Sequence, residues 1–100
     1  MEINTNIEGN RADLEIVGEL DSWASERLRD SIMEAVRNGS SEVAIDFASV
    51  THIGSSALSL ILEFQKDLES LGGRLVLKNM GKKIKSILHA LKIDLSHLIE

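Results

Sequence analysis

Two adjacent serines, Ser55 and Ser56, follow Gly54 where the β-branched run of residues 42–47 and a short polar turn give way to the apolar sequence Ala57-Leu58. Hydroxyls placed at such a strand-to-helix turn have three chemical uses. They can accept a backbone N–H as a helix cap. They can join the free N–H groups of the first turn in holding an anion. They can also accept a phosphoryl group, because the positive end of the helix dipole favours the added charge of about −1.5 to −2. Serine is a preferred cap, and Gly54 can supply the unusual backbone angles of a tight turn. Capping therefore accounts for one hydroxyl, and two serines leave the other at the C-terminal edge of the strand, where open α/β sheets place their functional loops.

A second pair, Asp21-Ser22, precedes another helical pattern. Its main expected role is to cap that helix, with a contact to a partner as a second role. Trp23 beside it is either a lid on the core or an exposed interface anchor, and core packing is the expectation. Lys78, Lys82, Lys83 and Lys85 read as a solvated face that an acidic partner could also touch. His52, His89 and His97 have no metal-ligand spacing and no thiol near them, so the residues call for neither a metal site nor a Ser–His nucleophile. No cofactor is implied.

These residues must be positioned by a regular set of elements. Ile3, Thr5 and Ile7 alternate with polar residues; Glu8-Gly9-Asn10-Arg11 offers turn chemistry; Leu14 and Ile16 resume the alternation, predicting a β-hairpin. Ala24, Leu28, Ile32, Ala35 and Val36 recur at helical spacing until Asn38-Gly39. Residues 42–47 predict a central strand, 55–71 a long helix stopped by Gly72-Gly73, and 74–78 a further strand. Strand, helix, strand is a βαβ unit with parallel pairing and a right-handed crossover. Ile84, Ile87, Leu88 and Leu91 predict a third amphipathic helix, and residues 93–99 a short final strand or a helical tail, with the strand preferred.

One hundred residues suit one domain, spanning 1–100. The chain is 43% hydrophobic but only 3% aromatic, so its core must be aliphatic, as when helices pack on a sheet. A net charge of −5 opposes direct binding to nucleic acid, whose affinity comes largely from Lys and Arg. The chain contains no cysteine, which is compatible with a reducing compartment and excludes a thiol nucleophile. No signal-peptide pattern opens the sequence, and the longest apolar stretch, residues 57–62, is far too short to span a bilayer. A cytoplasmic domain without membrane insertion is expected.

Three blocks of the sequence resemble the STAS domain of the anti-sigma-factor antagonist type. The first is that family's Gly-x-Leu-Asp turn, here Gly18-Glu19-Leu20-Asp21 followed by Ala24 and Leu28. The second is a strand, a variable turn and Asp-Ser-Ser-Gly-Leu, here Ile45-Asp46-Phe47 through Gly54-Ser55-Ser56-Ala57-Leu58. The third is Gly72-Gly73-Arg74-Leu75-Val76-Leu77 followed by an amphipathic helix. The resemblance covers essentially the whole chain and implies an α/β fold: a mixed β-sheet of four to five strands with three or more helices packed against it.

It also implies a function that is not enzymatic. Antagonists of this kind bind an anti-sigma-factor serine kinase, free the sigma factor, and let go once phosphorylated, until a serine phosphatase restores them. The phosphorylated serine corresponds to Ser56, with Ser55 as the fallback, and Asp21, Ser22, Gly54, Ser55, Ser56 and Ala57 are the implied partner-binding residues. Two positions depart from the family pattern. Ala57 replaces its glycine, a change that favours helix, and Gly54 replaces its acid, removing a carboxylate that could cap the helix or touch the kinase. Gly54 thus also suits a different role, a constitutive STAS subunit of a transport or signalling assembly whose serines only cap. Binding of a nucleotide or other small ligand at the same turn fits the dipole, but the chain has no Gly-x-x-x-x-Gly-Lys loop.

Overall fold

Leu14 of the second strand, Ile45 of the third and Leu77 of the fourth lie side by side across the sheet, and this row is the floor of the core. The computed structural model describes residues 1–100. Its strands are β1 (Glu2–Glu8), β2 (Arg11–Leu20), β3 (Glu42–Ile53) and β4 (Arg74–Lys78). They form one mixed sheet in the order β1-β2-β3-β4, antiparallel between β1 and β2 and parallel thereafter. The helices are α1 (Ser22–Arg37), α2 (Ser55–Ser70) and α3 (Lys82–Ala90).

Alternation in the strands separates two faces, as strand geometry requires. Ala12, Leu14 and Ile16 of β2, Val43, Ile45 and Phe47 of β3, and Leu75 and Leu77 of β4 point to the helices and are buried. Leu28 and Ile32 of α1, Ile61 and Leu68 of α2, and Ile84 and Leu88 of α3 pack against them in an apolar cluster of 23 buried residues whose only aromatics are Phe47 and Phe64. On the opposite face, charged side chains pair with one another along and across the strands. Arg11 binds Asp13, Glu42 and Glu100, and Lys78 reaches Asp13 at 3.3 Å.

The βαβ unit and its parallel pairing are present as the sequence predicts. Its return turn depends on Gly73, where a Cβ would lie only 2.0 Å from the backbone oxygen of Ser41. That oxygen accepts the N–H of Arg74 at 3.0 Å, so the glycine lets helix, turn and strand close on one another.

Two expectations about elements are corrected. The third strand does not stop at Phe47 but runs to Ile53, its extension carried by the β-branched Val50, Thr51 and Ile53 among Ala48, Ser49 and His52. Val17, Gly18, Glu19 and Leu20 of β2 pair with Ser49, Val50, His52 and Ile53, and the register shifts twice by one extra residue on β3. Asp46 holds the first irregularity, its Oδ1 accepting from the N–H of Ala48 at 2.9 Å and from Nδ2 of Asn79 at 3.0 Å. Gly18 sits beside the shifts at φ +109°, a conformation that costs glycine least.

The preferred final strand over residues 93–99 does not form. A 3₁₀ turn covers Ser96–Leu98, and only Ile99 makes a β-bridge, to Leu77. Asp94 turns the chain by accepting from the N–H and hydroxyl of Ser96, and Leu95 and Leu98, three residues apart, both enter the core. A spacing of three suits a 3₁₀ turn and not a strand.

Candidate partner-docking and phosphoacceptor site

The extension of β3 carries the chain to the end of β2, so two helices begin side by side. The N–H of Gly54 donates to the carbonyl of Leu20 at 3.0 Å, joining the turn before α2 to the turn before α1. A Cβ on Gly54 would lie 3.6 Å from that carbonyl oxygen and 3.9 Å from the Cα of Asp21. Asp21-Ser22 and Gly54-Ser55-Ser56, separated by more than thirty residues in sequence, thereby form one surface at the C-terminal ends of parallel strands.

The two N-termini differ in chemistry. Asp21 caps α1 as expected, its Oδ1 accepting from the N–H of Ala24 at 2.8 Å. Its carbonyl accepts from the hydroxyl of the buried Ser25 at 2.7 Å, which locks the first turn. Ser22 is the first residue of α1, exposed and without a side-chain bond to the protein. At α2 neither serine is the cap. Gly54 occupies that position, with no side-chain cap bond, and Ser55 and Ser56 are the first two helical residues.

Gly54 does not supply unusual angles either: φ −95° and ψ 169° are ordinary extended backbone, open to any residue. Both serine side chains are exposed, and neither hydroxyl is bonded to another protein group. The first turn of α2 contains no acidic side chain, so nothing on the helix itself answers its dipole.

Ala57 departs from the role the resemblance implies. It is fully buried, part of the core cluster beneath the serines, and offers a partner no surface; its methyl anchors the first turn. Trp23 corrects the expectation of core packing, being 79% exposed at the start of α1. Its helical phase carried the signal, because Trp23 shares a face with Arg27, Asp30 and Glu34, all exposed, whereas the buried stripe begins one residue later at Ala24. The carbonyl of Leu20, which joins the two turns, had no signal in sequence.

No histidine or lysine is hydrogen-bonded to either serine. His52 lines a groove with Asn79, Gly81, Lys83 and Ile84, between the end of β3 and the start of α3. Lys83 donates to the carbonyl of Thr51 at 3.4 Å and Lys78 is paired with Asp13, so two of the four lysines have partners within the chain.

Fold and site together define a small α/β domain that brings two helix N-termini, one capped by a carboxylate and one bearing two free hydroxyls, onto one exposed face. The chain belongs to the STAS domain family, whose model matches residues 2–99. No curated protein matches it in sequence. Solved structures share its fold. The anti-sigma factor antagonist SpoIIAA in its unphosphorylated form is 23% identical with a TM-score of 0.75, the match covering 88% of this chain and 82% of that one. SpoIIAA of Bacillus in the phosphorylated form is 22% identical with a TM-score of 0.79, covering 99% and 89%. A sulfate transporter family protein from Wolinella succinogenes is 14% identical with a TM-score of 0.75, covering 94% and 79%.

Proposed function

We propose that this domain is a cytoplasmic anti-sigma-factor antagonist that docks on a serine-kinase anti-sigma factor and is released when that kinase phosphorylates Ser56, Ser55 being the alternative acceptor. Asp21, Ser22, Gly54, Ser55 and Ser56 form the docking face, which Trp23 extends. A serine phosphatase reverses the switch. The domain is a substrate in this cycle and not a catalyst, and regulates transcription without touching nucleic acid.

One observation carries the reading: the hydroxyls of Ser55 and Ser56 are exposed and unbonded in the uncapped first turn of α2. A serine occupied as a cap would have to break its bond before reacting. A free one needs no rearrangement, and the phosphate it receives lies at the positive end of the helix. The backbone can therefore keep its course while the surface changes. A partner that had buried a neutral hydroxyl then meets a desolvated dianion beside Asp21, a penalty of several kcal/mol unless a cation compensates. The fold shared with both forms of SpoIIAA supports a modification that leaves the chain in place.

Incubation with the cognate kinase and ATP, followed by site-localised mass spectrometry, tests the proposal. Wild type and Ser55→Ala are expected to carry phosphate at residue 56, and Ser56→Ala to carry none. Phosphate on no variant would overturn the switch, while labelling lost only in Ser55→Ala would move it by one residue.

Glycine in place of the family's acid at position 54 removes a possible kinase contact and so also favours a second reading, a constitutive subunit of a transport or signalling assembly, although its serines do not cap the helix as that reading expected. Co-purification with such an assembly, unchanged by Ser56→Asp, would select it.

A further inference from the structure

We propose that the groove between the C-terminal halves of α1 and α2 is an interface at which a second copy of this chain docks about a two-fold axis. The groove measures about 380 Å³. Met33 and Val36 of α1 face Phe64 of α2 and Leu71 just beyond it. Leu71 is 72% exposed and Met33 45%, so two of the six large apolar side chains left in water stand at one groove. Adjacent exposed apolar groups around an apolar floor mark a contact surface.

The flanking charges indicate which contact. Arg37 stands on the α1 wall and Asp67 on the α2 wall. Arg37 donates only to the carbonyl of Met33, at 3.4 Å, and the Asp67 carboxylate has no ion partner. Nearer the N-termini the same seam is closed. Arg29 and Glu63 join α1 to α2 through two hydrogen bonds of 3.3 Å, and Arg29 lies 5.9 Å from the centroid of the Phe64 ring.

One level of the seam thus satisfies its charges internally, and the next holds out one cation and one anion on opposite walls. A two-fold operation exchanges the walls. It sets Arg37 of each copy against Asp67 of the other, while each Leu71 and Met33 enters the opposite groove, as an isologous interface requires.

The patch is small and both copies are acidic, so a weak association is expected. The groove lining begins at Phe64, nine residues or about 14 Å along α2 from Ser55, and at Met33, ten residues or about 15 Å along α1 from Trp23, so it includes none of the docking residues.

Equilibrium sedimentation of the full chain at concentrations up to about 1 mM tests the proposal. Wild type is expected to approach twice the 11.0 kDa chain mass. Arg37→Asp and Asp67→Arg each set like charges together and should raise the dissociation constant at least tenfold (roughly the effect of a close charge pair), and the double exchange should restore it to within about threefold. Leu71→Glu should abolish the dimer while leaving the circular dichroism spectrum unchanged. A monomer at every concentration would overturn the proposal and point to some other protein as the occupant, and a double exchange no tighter than the single ones would overturn the two-fold pairing of Arg37 with Asp67.

Discussion

Replacing Gly54 by aspartate would restore the side-chain cap that α2 lacks, and its effect can be worked from the geometry. At φ −95° and ψ 169° the position accepts a side chain without strain, and the new Cβ would meet the carbonyl of Leu20 at 3.6 Å, an ordinary contact. Three gains add. Aspartate is a better cap than glycine by a few tenths of a kcal/mol, roughly. A carboxylate at the positive end of the helix adds about 0.3–1 kcal/mol, and removing glycine from the unfolded chain adds about 0.4–1 kcal/mol. Repulsion from the exposed, solvent-screened Asp21 carboxylate subtracts a few tenths of a kcal/mol, roughly. The net is about 1 kcal/mol of stabilisation, or about 4–8 °C in melting temperature for a chain of this size.

Thermal unfolding followed by circular dichroism measures it. Gly54→Asn keeps the cap without the charge, and Gly54→Ala keeps only the unfolded-state gain. A cap carboxylate has a folded pKa below its unfolded value of about 3.9. Its stabilisation is therefore complete above that value and lost as pH falls through the folded pKa, so the aspartate variant should outrank the asparagine variant at pH 7 and lose that margin near pH 3. An aspartate variant no more stable than the alanine variant at neutral pH would refute the assignment of Gly54 as an unfilled cap.

Three further outcomes are expected. Gly73→Ala should destabilise by about 3 kcal/mol or more, read as a drop in urea midpoint, because its methyl would strike the Ser41 backbone rather than a movable side chain; a loss under about 1 kcal/mol would contradict the close approach. Trp23→Ala should leave thermal stability within about 0.5 kcal/mol yet weaken docking at least tenfold, roughly the weight of an aromatic anchor, and in the free protein Trp23 should be readily quenched by acrylamide. Burial pushes the Asp13 carboxyl up, but hydrogen bonds from Arg11 and Lys78 outweigh it and hold the pKa below the ordinary value; Arg11 likewise lowers that of Glu100. Carboxyls shifted downward lend stability above their unfolded values and lose it as pH falls through the folded ones, so Arg11→Met should move acid unfolding to higher pH, and an unchanged acid midpoint would deny the network that role.

Local pattern in this chain carried the elements that local chemistry decides. The hairpin, α1 from Asp21 to Asn38, α2 up to Gly72 and β4 all follow from alternation, helical phase and terminal residues, because each depends on groups within a few positions. The burial of the Ala24, Leu28 and Ile32 stripe follows from helical phase in the same way, and so does the exposure of Trp23, one position off that stripe. Family resemblance in three short blocks added the fold and pointed to Ser56.

Tertiary structure decided the rest, for reasons no local window contains. Residues 48–53 form strand because β2 lies alongside and because Asn79, more than thirty residues away, donates to Asp46 at the irregularity. Gly54, and not a serine, became the cap of α2 once its N–H was claimed by Leu20, which set where the helix could begin. That long-range bond brings the turn before α2 beside the turn that carries Asp21. Sequence alone placed two serines at a helix start; the pairing of distant backbones made them an accessible surface.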